Sequence, residues 1–504
     1  MKRIKQKILN YGLSMLRGAL AIRCMVGMTV LTFCLVITQV MAQTEPIGGQ
    51  PAPGAKPSVA DLDAQVAYQR AFEAVIWSAP AVGTYRLRAG AFSALGADNN
   101  VILAYSHTAT PKVEALTPNT VTPYIAAYTD LRKGPVVLEV PARTAKAVLY
   151  GQIVDAWQTS VADVGPVGAD KGEGGKYLLL PPGYAGEIPP GYLPVKTESY
   201  RLAFAFRSIH TPEATDQDAY EYSKTLKMYY LSEAVNPPTQ RFIDPSNSRY
   251  PSLPIYDISH FSDIYDIISV EPVKPRDKVM MGMLASIGIE PGKPFNPQGK
   301  VKAAMERAVV DAYFYLQEKT YKSFSATPYW PNRHWSSLLL PDPEGGFGYE
   351  TKDAILLDER GVQFFVGVYY PKKLVIGRAG TMYLGAIADS KGQRLAPGKT
   401  YRLRVPKEVP AKQLWSLTVY DMATWAFIYN PENRSGLSSF QKPKMKVNVD
   451  GSVDLYVGPK PPAGLESNWI PTEGKRPYPM FRFYGPEEAF WNKSFVLPDF
   501  ELVE

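Results

Sequence analysis

The final ninety or so residues confine this chain to a β architecture. They read as short aromatic strands broken by tight turns: Leu414-Trp-Ser-Leu-Thr-Val-Tyr-Asp421, Asn430-Pro-Glu-Asn-Arg434, Asp450-Gly-Ser-Val-Asp-Leu-Tyr-Val457, Ser467-Asn-Trp469 and Arg482-Phe-Tyr-Gly-Pro486. β-Branched and aromatic runs punctuated by Asn-Pro, Asp-Gly and Gly-Pro leave little room for helices. Within Trp415 to Asp421 the alternation is strict, with Trp415, Leu417 and Val419 on one face and Ser416, Thr418 and Tyr420 on the other. That is the pattern of a half-buried strand, one face core and the other available. At Asp450-Gly451 a two-residue hairpin would put Val447 and Val449 on the opposite face from Val453 and Leu455. Parity therefore asks for an odd loop, such as Asp450 to Ser452.

The same texture recurs earlier in the chain. Gly134 to Pro141, Ala147 to Val154, Gly175 to Leu180 and Tyr200 to Phe206 are β-type runs bounded by Gly and Pro. Two segments differ. From Ala60 to Ile76 the apolar positions Leu62, Val66, Ala67, Ala71, Val75 and Ile76 predict an amphipathic helix. Over Lys300 to Tyr321, Val301, Met305, Ala308, Val309, Ala312 and Leu316 form one apolar stripe, the mark of a packing helix. The expected fold is mainly β (α+β): two β-sandwich or jelly-roll-like domains with a helical segment between them. The expected boundaries are 1–42 targeting segment, 43–58 flexible Pro/Gly-rich leader, 59–245 N-terminal mainly-β domain, 246–330 helical segment and 331–504 C-terminal sandwich. No solenoid repeat is evident.

The targeting segment rests on its own pattern. Lys2, Arg3, Lys5, Lys7, Arg17 and Arg23 precede the apolar run Met25 to Val40, and Val40-Met41-Ala42 offers slender residues for cleavage. The run is short of the roughly 20 apolar residues that span a bilayer. The expectation is export to the periplasm or medium, without a stable membrane anchor after cleavage. No Asp or Glu occurs before Glu45, so losing six cations takes the formal charge from +7 to +1. The basic balance thus belongs to the leader, and no case for nucleic-acid binding remains. Cys24 and Cys34 leave with it, so the mature chain has no thiol.

Strong catalytic signatures are absent. The mature sequence offers no Cys nucleophile, no His-x-x-x-His pair, no Gly-x-Ser-x-Gly elbow and no Walker spacing. The four histidines, His107, His210, His260 and His334, stand far apart, so no metal site and no particular cofactor is indicated. Acid/base work would fall to carboxylates, tyrosines or lysines. Asp155 and Asp421 each end an apolar strand beside an aromatic residue, Trp157 or Tyr420, where partial burial raises a carboxyl pKa. The competing reading is that both aspartates simply terminate strands by accepting backbone hydrogen bonds. Arg434, Arg482 and Asn468 supply donors for an anionic or hydroxylated ligand, or else tie down long connections by bonding backbone carbonyls. The 32 tyrosines favour ligands with a flat apolar face and polar edge, such as glycans or aromatic compounds.

Leu116-Thr-Pro-Asn-Thr-Val-Thr-Pro-Tyr124, Asp130-Leu131, Gly134-Pro-Val-Val-Leu138, Asp155-Ala-Trp157 and the stretch from Gly175 to Gly183 resemble the family catalogued as domain of unknown function 1254. The C-terminal motifs quoted above resemble its usual companion, domain of unknown function 1214. The resemblance implies a two-part, mostly β, often exported protein, and no particular reaction. It places candidate catalytic residues at Asp155, Tyr420 and Asp421, and ligand-binding ones at Asn119, Thr122, Tyr124, Trp157, Arg434, Asn468, Trp469 and Arg482. One departure is Val121, where the family pattern usually has an acidic residue. A catalytic role for that acid would leave this copy impaired; the alternative is a turn capped by Asn119. The functional expectation is a hydrolase or lyase acting on a small or polymeric organic substrate in an inter-domain cleft. The alternative is a non-catalytic periplasmic ligand-binding or envelope-associated protein.

Overall fold

The computed structural model describes residues 48–503 except 53, 212, 339, 341, 343–346 and 369–379. The targeting segment expected at 1–42 lies outside the described residues. The chain divides into Met1–Leu62 and a second compact unit, Asp63–Glu504. Described residues of the first unit up to Asp61 form no helix or strand.

The helix α1 (Leu62–Ala94) leads into the second unit. It runs well past the expected end at Ile76, straight through Pro80. From Ala74 to Thr84 every residue is buried, so the stripe that marks an amphipathic helix disappears where the helix enters the core. A proline there reads as a stop signal. Its carbonyl is used, accepting from Gln158 Nε2 at 2.7 Å.

Next come β1 (Ile102–Ala104), β2 (Val113–Glu114), β3 (Tyr124–Asp130), β4 (Val136–Val140), β5 (Ala147–Asp155), β6 (Ser160–Val164), β7 (Gly175–Leu180), β8 (Tyr192–Lys196), β9 (Arg201–His210), α2 (Asp216–Ser223), β10 (Lys227–Tyr230), β11 (Phe242–Ile243) and β12 (Tyr250–Pro251). They form a six-stranded sheet, β11-β1-β3-β9-β5-β6, and a four-stranded sheet, β10-β4-β7-β8, while β2 and β12 pair apart. Ile125 and Ala127 of β3, with Leu202, Phe204 and Phe206 of β9, share one core with Val136, Leu138, Tyr177 and Leu179 of the second sheet. Period-two alternation therefore turns Tyr124, Ala126, Tyr128, Ala203 and Arg207 to the outside of the larger sheet.

Three helices follow, α3 (Ser259–Ile268), α4 (Lys278–Ala285) and α5 (Gly299–Ala326), within the expected helical segment. The α5 stripe is buried from Met305 to Ala312 against α1, α3 and α4, and Leu316 is buried in the neighbouring cluster with Ile76 and Ala79 of α1. The C-terminal half contains β13 (Trp335–Ser337), α6 (Leu357–Val366), β14 (Thr381–Ala386), β15 (Tyr401–Val405), β16 (Ala411–Asp421), β17 (Gly436–Ser438), β18 (Val453–Gly458), β19 (Trp469–Pro471), β20 (Pro477–Pro486), α7 (Glu488–Trp491) and β21 (Glu501–Leu502). Its sheets, β13-β14-β20-β16-β17 and β19-β18-β15-β21, enclose Trp415, Leu417, Val419, Phe481 and Phe483 together with Leu403, Val453 and Leu455. The protein is thus α+β with several sheets.

Two local expectations are corrected. Strand β16 is not half-buried: Ser416, Thr418 and Tyr420 are as buried as the core face. The cover is the other sandwich. Tyr420, Tyr478 and Met480 pack in one apolar cluster with Tyr128, Ala203 and α1. Nor does Asp450-Gly451 join a hairpin. Val453 pairs with Val405 of β15, while Val447 and Val449 lie exposed in a loop.

Candidate functional site

Where the outer faces of the two large sheets meet, their register gathers polar groups into a seam. On one side Tyr124 of β3 lies opposite Arg207 of β9. On the other, Arg482 of β20 is flanked by Tyr383 of β14 and Ser416 of β16, with Tyr484 two residues further on the same face. Between them sits the segment from Thr117 to Thr122. Its shape is set by Asn119, whose Oδ1 accepts from the backbone N–H of Val121 and Thr122, each at 2.8 Å, and from the Thr122 hydroxyl at 3.3 Å. This is Asx-turn chemistry, the capped turn that the sequence offered as an alternative to a catalytic acid at Val121. The turn is fastened to the C-terminal half. Thr117, at φ +42°, donates its N–H to the Trp425 carbonyl at 2.7 Å and its hydroxyl to the Val366 carbonyl at 3.0 Å.

Arg482 is the centre of the arrangement, with 2% of its surface exposed. Nη1 donates to Thr418 Oγ1 at 2.8 Å and Nη2 to the Tyr420 hydroxyl at 2.5 Å, with the carbonyls of Thr117 and Pro118 each 3.4 Å from Nη2. Tyr420 in turn donates to the Pro118 carbonyl at 2.5 Å. Arg207 is partly exposed, reaches Thr122 Oγ1 at 3.4 Å and lies 5.3 Å from the Tyr124 ring centre. Among the described residues neither arginine forms an ion pair with a carboxylate. The Arg482 Nε and the Tyr484 hydroxyl are buried without a hydrogen-bond partner.

Burial pulls the Arg482 pKa down, but the phenols of Tyr420, Tyr484 and Tyr383 more than offset it, and the guanidinium stays above its ordinary value. Arg207 is raised likewise: burial acts against it, while Tyr124, Tyr383 and Tyr484 outweigh burial and the repulsion from Arg482. Burial pushes Tyr484 up to about 12 despite Arg482, and raises Tyr420 also. At neutral pH Arg207 and Arg482 are therefore cationic while the Tyr420 and Tyr484 phenols are neutral. The seam's spare hydrogen-bonding capacity is donor capacity, suited to an anionic oxygen group. Partly exposed Tyr124, Arg207 and Tyr383 connect it to solvent.

Five of the sequence candidates meet here: Asn119, Thr122, Tyr124, Tyr420 and Arg482. The others lie elsewhere. Asp155 Oδ1 accepts from the backbone N–H of Trp157 and Thr159 at 2.9 and 2.8 Å, and Oδ2 is 3.3 Å from Lys274 Nζ. Trp157 packs against Trp77 with ring centres 4.7 Å apart and planes tilted by 56°, with the buried Arg360 guanidinium 5.7 Å from its ring. Asp421 ends β16 by accepting from the Ala423 N–H at 2.9 Å. Arg434 Nη1 holds the carbonyls of Glu466 and Trp469 at 2.7 and 2.9 Å. Asn468 is fully engaged, accepting from the Lys446 N–H and the Ser467 hydroxyl and donating to the carbonyls of Lys446 and Asp454. The Trp469 indole donates to the Gly458 carbonyl at 2.8 Å. Among the described residues no group of three or more His, Cys, Asp or Glu is arranged to hold a metal ion.

Arg207, Tyr383, Thr418 and Tyr484 were not among the candidate site residues of the sequence, although Thr418 lay on the face read as available and Tyr484 in the aromatic C-terminal run. A signal existed for two of them. In Leu202-Ala-Phe-Ala-Phe-Arg207 and Phe481-Arg-Phe-Tyr484 the polar residues fall on the face opposite the phenylalanines, and a cation on that face of a strand asks what covers it.

Residues 99–230 match the model of the family described as protein of unknown function DUF1254. Residues 380–488 match that of DUF1214. The DUF1254 match thus precedes the DUF1214 match along the chain. The seam is accordingly built by β3 and β9, within the segment that matches DUF1254, against β14, β16 and β20, within the segment that matches DUF1214. The crystal structure of the VPA0106 protein from Vibrio parahaemolyticus is similar over 87% of this chain and 100% of its own, with TM-score 0.51 and 19% identity, a likeness of fold. A putative uncharacterized protein from Burkholderia cenocepacia aligns over 88% of this chain and 96% of its own, at TM-score 0.37 and 12% identity. No curated protein matches the chain. Among the described residues no helix is long and apolar enough to cross a membrane.

Proposed function

We propose that this protein is an exported ligand-binding protein that takes an organic anion at the seam between its DUF1254 and DUF1214 domains. The observation that carries the reading is the pair Arg207 and Arg482, two cations with no carboxylate partner among the described residues. An uncompensated buried charge is expensive, and a fold that keeps one has a reason to. Donors converge from both domains: the Arg207 guanidinium and Thr122 hydroxyl from one, the Arg482 Nε and Tyr484 hydroxyl from the other. The seam holds no carboxylate or imidazole among the described residues, and its buried phenols, Tyr420 and Tyr484, stay protonated near neutral pH. That supports binding over the hydrolase or lyase chemistry also considered from the sequence. Export rests on the cationic and apolar opening of the chain.

The test is calorimetry on the mature protein in a buffer without phosphate, sulfate or carboxylate. Acetate, benzoate, succinate and phthalate serve as probes, with their uncharged amides as controls. At least one acid should bind, its amide should not, and Arg482→Met should abolish the heat. Equal binding of acid and amide, or binding that survives Arg482→Met, rejects the reading.

A further inference from the structure

The N-terminal sandwich carries a second recess, remote in composition from the seam. Strand β6 ends the six-stranded sheet and β8 ends the four-stranded one, so two unpaired edges lie on the same side of the sandwich. Clefts of about 580 and 490 Å3 open beside them and adjoin at Val161 and Lys196, which line both walls of this grooved edge. Each volume lies in the range of small-molecule sites.

The chemistry of the lining differs sharply from that of the seam. Lys274 Nζ lies 3.3 Å from Asp155 Oδ2 and 3.5 Å from Glu198 Oε2, so its charge is already balanced. An ionic ligand here would have to compete with that pairing. The Ser160 hydroxyl, in a residue only 4% exposed, is buried and without a partner. A ligand hydroxyl both donates and accepts, so it complements Ser160 and the paired charges together. Tyr184 adds a partly exposed ring beside this polar end, and Val161 with Leu193 gives the other end an apolar wall. Flat rings and aliphatic walls suit the C–H faces of a sugar, as the polar groups suit its edges.

We propose that this groove binds a neutral oligosaccharide, independently of the anion site. The measurement is saturation-transfer NMR and calorimetry on the mature protein with cellotriose, maltotriose and chitotriose, and with trigalacturonate as the charged counterpart. At least one neutral trisaccharide should bind and trigalacturonate should bind no better. Tyr184→Ala should weaken the sugar about tenfold, Ser160→Ala should weaken it less, and Arg482→Met should leave it unchanged. Tyr184 lies outside helices and strands, and melting temperatures of the variants check that the fold is intact. The proposal fails if none of the three neutral sugars binds, if trigalacturonate is preferred, or if Tyr184→Ala binds as well as the parent. Loss of sugar binding in Arg482→Met would also overturn the claim of independence, whatever the fate of the anion.

Discussion

Replacing Arg482 by Met tests whether its charge truly lacks a counter-ion. When one partner of a buried ion pair is removed, the stranded opposite charge makes the loss about 3–5 kcal/mol. Arg482 strands no carboxylate among the described residues. What disappears are two short charge-assisted hydrogen bonds, to Thr418 and Tyr420, about 1.5–3 kcal/mol each and so roughly 3–6 kcal/mol in all, with two contacts of 3.4 Å to the carbonyls of Thr117 and Pro118 that add little at that length. Against this stands the desolvation of the guanidinium, itself several kcal/mol, increased by its unpartnered Nε and by repulsion from Arg207. The partners keep other bonds: Tyr420 still donates to Pro118, and Thr418 still lies 3.4 Å from the Thr120 hydroxyl. Methionine fills much of the vacated volume, so the cavity term is small. The two sides nearly cancel, and Arg482→Met should lie within about 2 kcal/mol of the parent. The assay is urea unfolding in a low-salt buffer free of oxyanions, comparing midpoints at constant m. A loss above about 4 kcal/mol with m unchanged would mean that a stranded negative charge had been overlooked.

Three further outcomes are expected. His260 is buried, its Nε2 3.3 Å from the Ser78 hydroxyl and its Nδ1 2.9 Å from the Ile255 carbonyl, and burial lowers its pKa to about 4. Its folded pKa lies below the unfolded value of about 6.5, so its stability is complete above that pH and declines by about 1.4 kcal/mol per unit as the pH falls toward 4. Glu271 acts in the opposite sense: burial raises it to about 7, so its stability is complete below about 4.3 and is lost as the pH rises through 7. Thermal melts between pH 4 and 8 should therefore show His260→Gln protecting the acid side and Glu271→Gln the alkaline side; unchanged slopes in both variants would contradict these assignments. Asn468→Ala, which strands backbone groups of Lys446 and Asp454, should cost about 1–3 kcal/mol for each buried group left unpaired while anion binding is unaltered, and a calorimetric loss in a folded variant would return Asn468 to the site. Gly165 has φ +92°, and a Cβ there would come within 2.0 Å of the Leu149 carbonyl oxygen. Gly165→Ala should consequently destabilise the β5–β6 edge by several kcal/mol or prevent folding, whereas a melting temperature equal to the parent's would refute that placement.

The strands and the α5 stripe were legible because their periodicities are local. Phe204 and Phe206, or Met305 and Leu316, declare their faces without reference to the rest of the chain. The extension of α1 was not legible, since a helix buried on every side loses its stripe and Pro80 mimics a stop. The pairing of β18 also escaped, though the strand itself did not: its partner is β15, nearly fifty residues away, so parity across Asp450-Gly451 was the wrong constraint. The candidate site was legible in halves. Asn119 to Tyr124 and Tyr420 to Arg482 were each visible as polar groups among aromatics. That they face one another follows from packing the outer faces of two sheets, which no spacing along the chain encodes. The same packing explains why Thr418 and Tyr420 looked solvent-facing and are buried. Arg434, Asn468 and Trp469 looked like ligand donors because donors to a backbone carbonyl and donors to a ligand are the same chemistry in sequence.

Anomalous diffraction from a crystal of the protein soaked in selenate interrogates the anion site most directly, because selenate is a compact oxyanion located without reference to any assumed ligand. The expected result is an anomalous peak in the seam, between Arg207 and Arg482 and within hydrogen-bond distance of the Arg482 Nε and the Tyr484 hydroxyl, that is missing from Arg482→Met crystals soaked alike. Selenate found only at surface lysines and arginines, with the seam empty, would contradict an anion-binding seam.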